Sequence, residues 1–160
     1  MAQRLDYIKA SPASFRAMMG VEQHVAKGVD GVLMHLLKLR ASQINGCAYC
    51  IDMHWKDARA AGQSEERLYA LSAWRESTLY SDRERAVLAW TESLTLIADE
   101  HAEDGEYEGV RAHFSDTELA DLTWAIAAIN AWNRIAIGFR AKPGLYRPRP
   151  AASAASAAAT

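Results

Sequence analysis

No proline interrupts the chain between Pro12 and Pro143, and the other two, Pro148 and Pro150, sit near its end. A stretch of that length free of helix breakers, with no sustained apolar–polar alternation, excludes an extensive sheet and predicts an all-α fold. The punctuation that does occur is of the kind that starts and stops helices. Gly28 can end a first helix beginning near Ser14. Asp30 can cap a second, over 31–44, with Val32, Leu33, Leu36, Leu37 and Leu39 at mostly helical spacing. Asn45-Gly46 is a turn signal. A third helix then runs from about Cys47 to Ala61, and Gly62 closes it. Ser64 can cap a fourth through about Trp74.

Two Ser-x-x-Glu capping boxes follow. Ser81 to Glu84 opens a helix with Val87, Trp90, Leu94 and Ile97 on one stripe. Ser115 to Glu118 opens the longest helix, to about Phe139, which is apolar nearly all round from Leu122 to Ile137. Such a helix is either central or packed against a second subunit. One domain over residues 1–145 is expected, followed by a flexible Pro/Ala/Ser-rich tail over 146–160.

The chemistry concentrates at one place. The chain's two cysteines are Cys47 and Cys50, and His54 follows one helical turn later. At about 100° per residue, a helix would bring His54 to within about 20° of Cys47, with Cys50 beside them. Cys47 lies at or before a helix N-terminus, which favours a thiolate. His54 can accept a proton from Cys50. Such a pair can cycle through a sulfenic acid and a disulfide. Two other readings stay open from the residues alone. With His35 or His24 the set could bind zinc as Cys₂His₂, or the three side chains could be inert core.

The bulk numbers narrow the setting. A formal net charge of −2 gives no nucleic-acid footprint. No run is apolar enough to span a membrane, and the first residues lack a signal-peptide core. A cytoplasmic location is expected, where a close cysteine pair is redox-active or metal-binding rather than a structural disulfide. His24, His101 and His113 read as surface or capping residues. Asn130, Asn133 and Arg134, polar on an apolar helix, read as braces of buried structure.

The run from Arg40 through Ser42, Asn45, Gly46, Cys47, Ala48, Tyr49, Cys50 and Asp52 to His54 resembles the core motif of the alkylhydroperoxidase D-like proteins. These belong to the carboxymuconolactone decarboxylase superfamily. The likeness continues through Ala58-Arg59, Gly62, Trp74 to Ser77, Glu84 to Ala86, and Ile129 to Arg134. It implies an all-α, single-domain helical bundle with a helix–Cys-x-x-Cys–helix core, assembled as a dimer, trimer or hexamer. It implies a thiol-dependent peroxidase in antioxidant defence, acting on a hydroperoxide and reset by a lipoyl- or thioredoxin-type dithiol. No metal or organic cofactor is implied.

By the same resemblance Cys50 attacks the peroxide, Cys47 resolves it, and His54 belongs to the proton relay. The dipole alone would favour Cys47 as the stronger acid. The chain departs from the family pattern at two positions. His35 stands where a relay glutamate is usual, and Tyr49 where a histidine is common. His35 can still carry protons near neutral pH, or it is a core residue. A redox-responsive or zinc-binding oligomeric module, and a lactone decarboxylase-like enzyme, are the alternatives to a peroxidase.

Overall fold

A computed structural model describes residues 2–148, with Glu100 described by its backbone alone. The described residues are helical with short connections and no strand. In chain order the helices are α1 (Tyr7–Ala10), α2 (Pro12–Gly28), α3 (Gly31–Ile44), α4 (Ala48–Ala60) and α5 (Glu65–Tyr69). A 3-10 helix (Ala70–Glu76), α6 (Asp82–Thr95), α7 (Ile97–Glu100), α8 (Asp104–Arg111) and α9 (Asp116–Phe139) complete the order.

The helix ends follow local chemistry. The Asp30 carboxylate accepts from the Val32 and Leu33 amides at the start of α3. Ser81 and Ser115 form reciprocal capping boxes with Glu84 and Glu118. Each such cap contributes on the order of 1 kcal/mol. Cys47 caps α4 from just outside, at the helix N-terminus as expected. Two expectations need correcting. The helix after Ser64 is α-helical to Tyr69 and then tightens to a 3-10 helix broken at Ala73. The stripe over Val87, Trp90 and Leu94 stops before Ile97, because α6 ends at Thr95. Ile97 is 46% exposed on the separate α7.

α3 is the pivot. It packs on α4, α6 and α9. Its Leu33, Leu37 and Ala41 enter a core with Val25, Val87, Val110, Leu122, Ile126 and Ile129. Its Leu36 and Leu39 enter a second core with Ala58, Leu68, Leu71, Trp74 and Leu88. A helix that feeds two cores is apolar on more than one side, which is why its leucine pattern is only loosely periodic. α9 packs on α2, α3, α4, α6 and α8. The all-round apolar character of α9 reflects that central position, although Trp124 and Ile137 remain exposed.

Beyond α9 the chain folds back over α4. The Asp52 carboxylate accepts from the Gly144 amide at 2.9 Å, and the Tyr146 hydroxyl donates to Asp57 at 2.7 Å. Most of the expected tail, Arg149 to Thr160, lies outside the described residues. No helix among the described residues is long and apolar enough to cross a membrane.

Candidate active site

The turn between α3 and α4 positions the cysteines. Gly46 takes φ +66°, a left-handed conformation that glycine adopts without strain. The Cys47 amide donates back to the Ser42 carbonyl at 3.0 Å. The turn is fastened to α9 by side chains. Asn45 Nδ2 donates to Asn130 Oδ1 and to Asn133 Oδ1, each at 2.9 Å. Asn130 Nδ2 donates to Thr95 Oγ1, and Asn133 Nδ2 to Ser42 Oγ, both at 3.0 Å. The buried asparagines are thus satisfied, and they hold the start of α4 against α9.

Both thiols are free and buried, packed against Ala136 of α9. The Cys50 amide donates to Cys47 Sγ at 3.4 Å. The Cys50 thiol's hydrogen bond pulls the Cys47 thiol down to about 7, with burial opposing and backbone and Asn133 donors assisting. The same bond raises Cys50, helped by burial and by the Cys47 charge. The first proton of the pair therefore leaves from Cys47 near neutral pH, with Cys50 as the donor to its thiolate.

Two hollows meet at the pair. Cys50 opens on a cleft of about 340 Å³ between α1, α2, α3, α4 and α9. Its apolar wall includes Ile8, Phe15, Met19, Met53 and Trp132. Its polar groups are Glu22, Lys38, Tyr49, His54 and Asp57. Cys47 lines a second hollow rimmed by Arg140 and Lys142.

His54 shares the cleft with Cys50, as the helical spacing predicts, but its Nε2 is buried without a hydrogen-bond partner. Burial, then the charges of Lys38 and His35, hold its pKa down to about 3, so the ring is neutral. His35 does not line the cleft. It is half-buried, near enough to His54, Asp57 and Lys38 to feel their charges, and burial lowers its pKa. His24 lies elsewhere, facing Asp121 across α2 and α9 at 3.2 Å. Among the described residues, no three His, Cys, Asp or Glu side chains are grouped to hold a metal ion, so neither histidine completes a zinc set with the cysteines.

Glu22 and Lys38 escape a reading of the sequence alone. They come from α2 and α3 and reach the cleft by folding, with no local spacing to mark them. Lys38 pairs with Glu22, whose other oxygen accepts from Trp132 Nε1 at 3.0 Å.

The fold and its thiol pair define a class. Residues 12–93 match the carboxymuconolactone decarboxylase family. The chain belongs to that family and is an alkylhydroperoxidase D-like member of it. It is 41% identical over 138 residues to the uncharacterized protein YdfG of Bacillus subtilis, spanning 86% of this chain and 94% of the relative. It is 49% identical to a crystal structure from Agrobacterium tumefaciens, of a protein of unknown function described as a candidate antioxidant defence protein AhpD. That match has a TM-score of 0.87 and covers 91% of this chain and 100% of the other. An uncharacterized peroxidase-related protein of Ralstonia eutropha JMP134, with an alkylhydroperoxidase AhpD core, shares the fold. There the TM-score is 0.75 at 20% identity, covering 86% of this chain and 74% of the other.

Proposed function

We propose that the protein is a thiol-dependent peroxidase that reduces hydroperoxides through a Cys47–Cys50 disulfide. The observation that carries this reading is the pair of buried, free cysteines joined by the hydrogen bond from the Cys50 amide to the Cys47 sulfur, one of which opens on an apolar cleft. In the resting pair the proton sits on Cys50. Its transfer to Cys47 makes Cys50 the nucleophile facing the cleft. The Cys50 thiolate attacks the terminal peroxide oxygen. The O–O bond breaks, the alcohol leaves, and Cys50 becomes a sulfenic acid. Cys47 loses its proton and attacks that sulfur. The S–S bond forms and the hydroxyl departs as water, the last proton coming from solvent. A dithiol then exchanges with the disulfide and restores both thiols. Neutral His54, beside Cys50, is suited to passing the proton between groups and not to holding a charge.

The greater acidity of Cys47 pulls against this assignment. What supports the assignment is that Cys50 lines the cleft with the polar groups and Cys47 does not. Assembly into a homo-oligomer and a reducing, cytoplasmic setting belong to the same reading, as the family resemblance implies. Trapping the sulfenic acid with a dione reagent in a Cys47→Ser variant tests the roles. The adduct is expected on Cys50. An adduct on Cys47 in Cys50→Ser, with peroxide turnover retained, would reverse them.

A further inference from the structure

The Glu22–Lys38 pair lies in the wall of the cleft. Both side chains are mostly buried, at 16% and 12% exposure. Withdrawing an ion pair from water costs about as much as the pairing returns, so stability alone does not account for it. Its location is specific. Lys38 is the one lysine or arginine among the residues lining the cleft onto which Cys50 opens. An ammonium has three N–H groups. Among the described residues Glu22 is the one acceptor that Lys38 meets, which leaves donors for a molecule in the cleft. Glu22 is itself anchored by Trp132, so the carboxylate acts as a fixed bracket.

Reduction of a hydroperoxide needs an acid within reach of the leaving oxygen. When a thiolate attacks the terminal oxygen, the S–O bond forms as the O–O bond breaks. The electron pair leaves on the second oxygen as an alkoxide, a strong base that must be protonated. His54 is a poor source, because burial keeps its ring neutral. Asp57 is already engaged by the Tyr146 hydroxyl.

We propose that Lys38, bracketed by Glu22, is a catalytic acid that donates a proton from Nζ to the alkoxide leaving a hydroperoxide under attack by Cys50. The step rests on the peroxidase reading above. Lys38 becomes a neutral amine as the alcohol is released. The proton given up when the Cys47 thiol ionises to attack the sulfenic acid restores the ammonium. The hydroxyl that leaves the sulfenic acid takes its proton from solvent, and no further oxidant is required.

Leaving-group dependence tests this directly. The reduced full-length protein is mixed with tert-butyl hydroperoxide or with peroxyacetic acid, and the first turnover is followed by thiol loss. Peroxyacetic acid expels a carboxylate, which needs no acid. Lys38→Arg is the decisive variant. Its guanidinium keeps the charge and the pairing with Glu22 but does not give up a proton. Its rate with tert-butyl hydroperoxide should fall by about 100-fold, the scale of general-acid catalysis. Its rate with peroxyacetic acid should change by less than about threefold. Lys38→Met should behave likewise if folded, and Glu22→Gln should show a smaller loss of the same selectivity.

Equal losses with both oxidants in Lys38→Arg, or no loss with either, would overturn the role of Lys38 while leaving the peroxidase intact. If wild type consumes neither oxidant, the peroxidase reading falls and the role of Lys38 falls with it.

Discussion

The amide of Cys50 donates to the sulfur of Cys47 at 3.4 Å, so the first cysteine caps the helix whose first turn carries the second. A cap of this kind gathers the free amides of a helix N-terminus around one sulfur. The second thiol then adds its own hydrogen bond. The result is a pair with one acidic and one reluctant member, and not two equivalent thiols.

The pair should ionise in separate steps. Thiolate absorbance in the ultraviolet should rise with a midpoint of about 7 for the first proton, on Cys47. The second should stay on up to strongly alkaline pH. In Cys50→Ala the main donor to Cys47 is lost, and the midpoint should move up. A midpoint unchanged in that variant would contradict the hydrogen bond as the dominant cause.

Burial of neutral His54 should make the protein acid-sensitive. Its pKa falls from 6.5 in the unfolded chain to about 3 in the fold. The unfolded state therefore binds the extra proton between those values, and stability declines as pH drops below 6.5. Between pH 7 and pH 5 this component amounts to roughly 2 kcal/mol. Urea unfolding at the two pH values should show a smaller decline in His54→Leu than in wild type. Equal declines would remove His54 from the account.

Glu92 joins α6 to α3 and to the 3-10 helix. Its carboxylate accepts from Trp74 Nε1 at 2.8 Å and from Arg40 Nε at 2.6 Å, and it pairs with Arg75. Burial raises its pKa, but the Arg75, Trp74 and Arg40 donors outweigh this and lower it overall. The stabilisation is complete above the ordinary value of 4.5 and is lost as pH falls through the depressed one. Glu92→Ala should cost about 3–5 kcal/mol, because Arg40 and the indole are left without their acceptor. Thermal unfolding at neutral pH measures this. A loss below about 1 kcal/mol, the scale of a surface pair, would show that the hub is dispensable.

His35 should matter less than its place in the motif suggests. It is near enough to His54 for its charge to be felt there, and it does not line the cleft. First-turnover rates should fall by less than about threefold in His35→Ala but by about 100-fold or more in His54→Ala, the scale of a proton-transfer group. His35→Glu adds a carboxylate near Asp57 and His54, and it should shift the pH profile more than the maximal rate. The reverse ranking of the two alanine variants would make His35 the relay.

The features legible in the sequence are those written locally. Asp30, Ser81 and Ser115 each cap within three residues, and Asn45-Gly46 turns the chain by backbone preference alone. The Cys-x-x-Cys…His spacing is likewise local, and it does place Cys50 and His54 in one cleft. What the sequence hides is set by distance along the chain. Nothing local marks Lys38 within α3 or Glu22 within α2. Only the packing of α2 against α9 brings Glu22 to Trp132 and so to Lys38. The short polar helix α8 is equally silent, because Asp104, Glu106 and Glu108 leave it without a long apolar stripe. The asparagines of α9 are readable as braces, but their common anchor, Asn45, is visible only in the fold.

The central claim is a peroxide-driven Cys47–Cys50 cycle. It is tested most directly by hydroperoxide consumption under excess dihydrolipoamide or a thioredoxin-type donor, comparing wild type with Cys50→Ser. Sustained turnover in wild type that is abolished in Cys50→Ser is the predicted result. No turnover in wild type with any dithiol donor, or full turnover in Cys50→Ser, would contradict it.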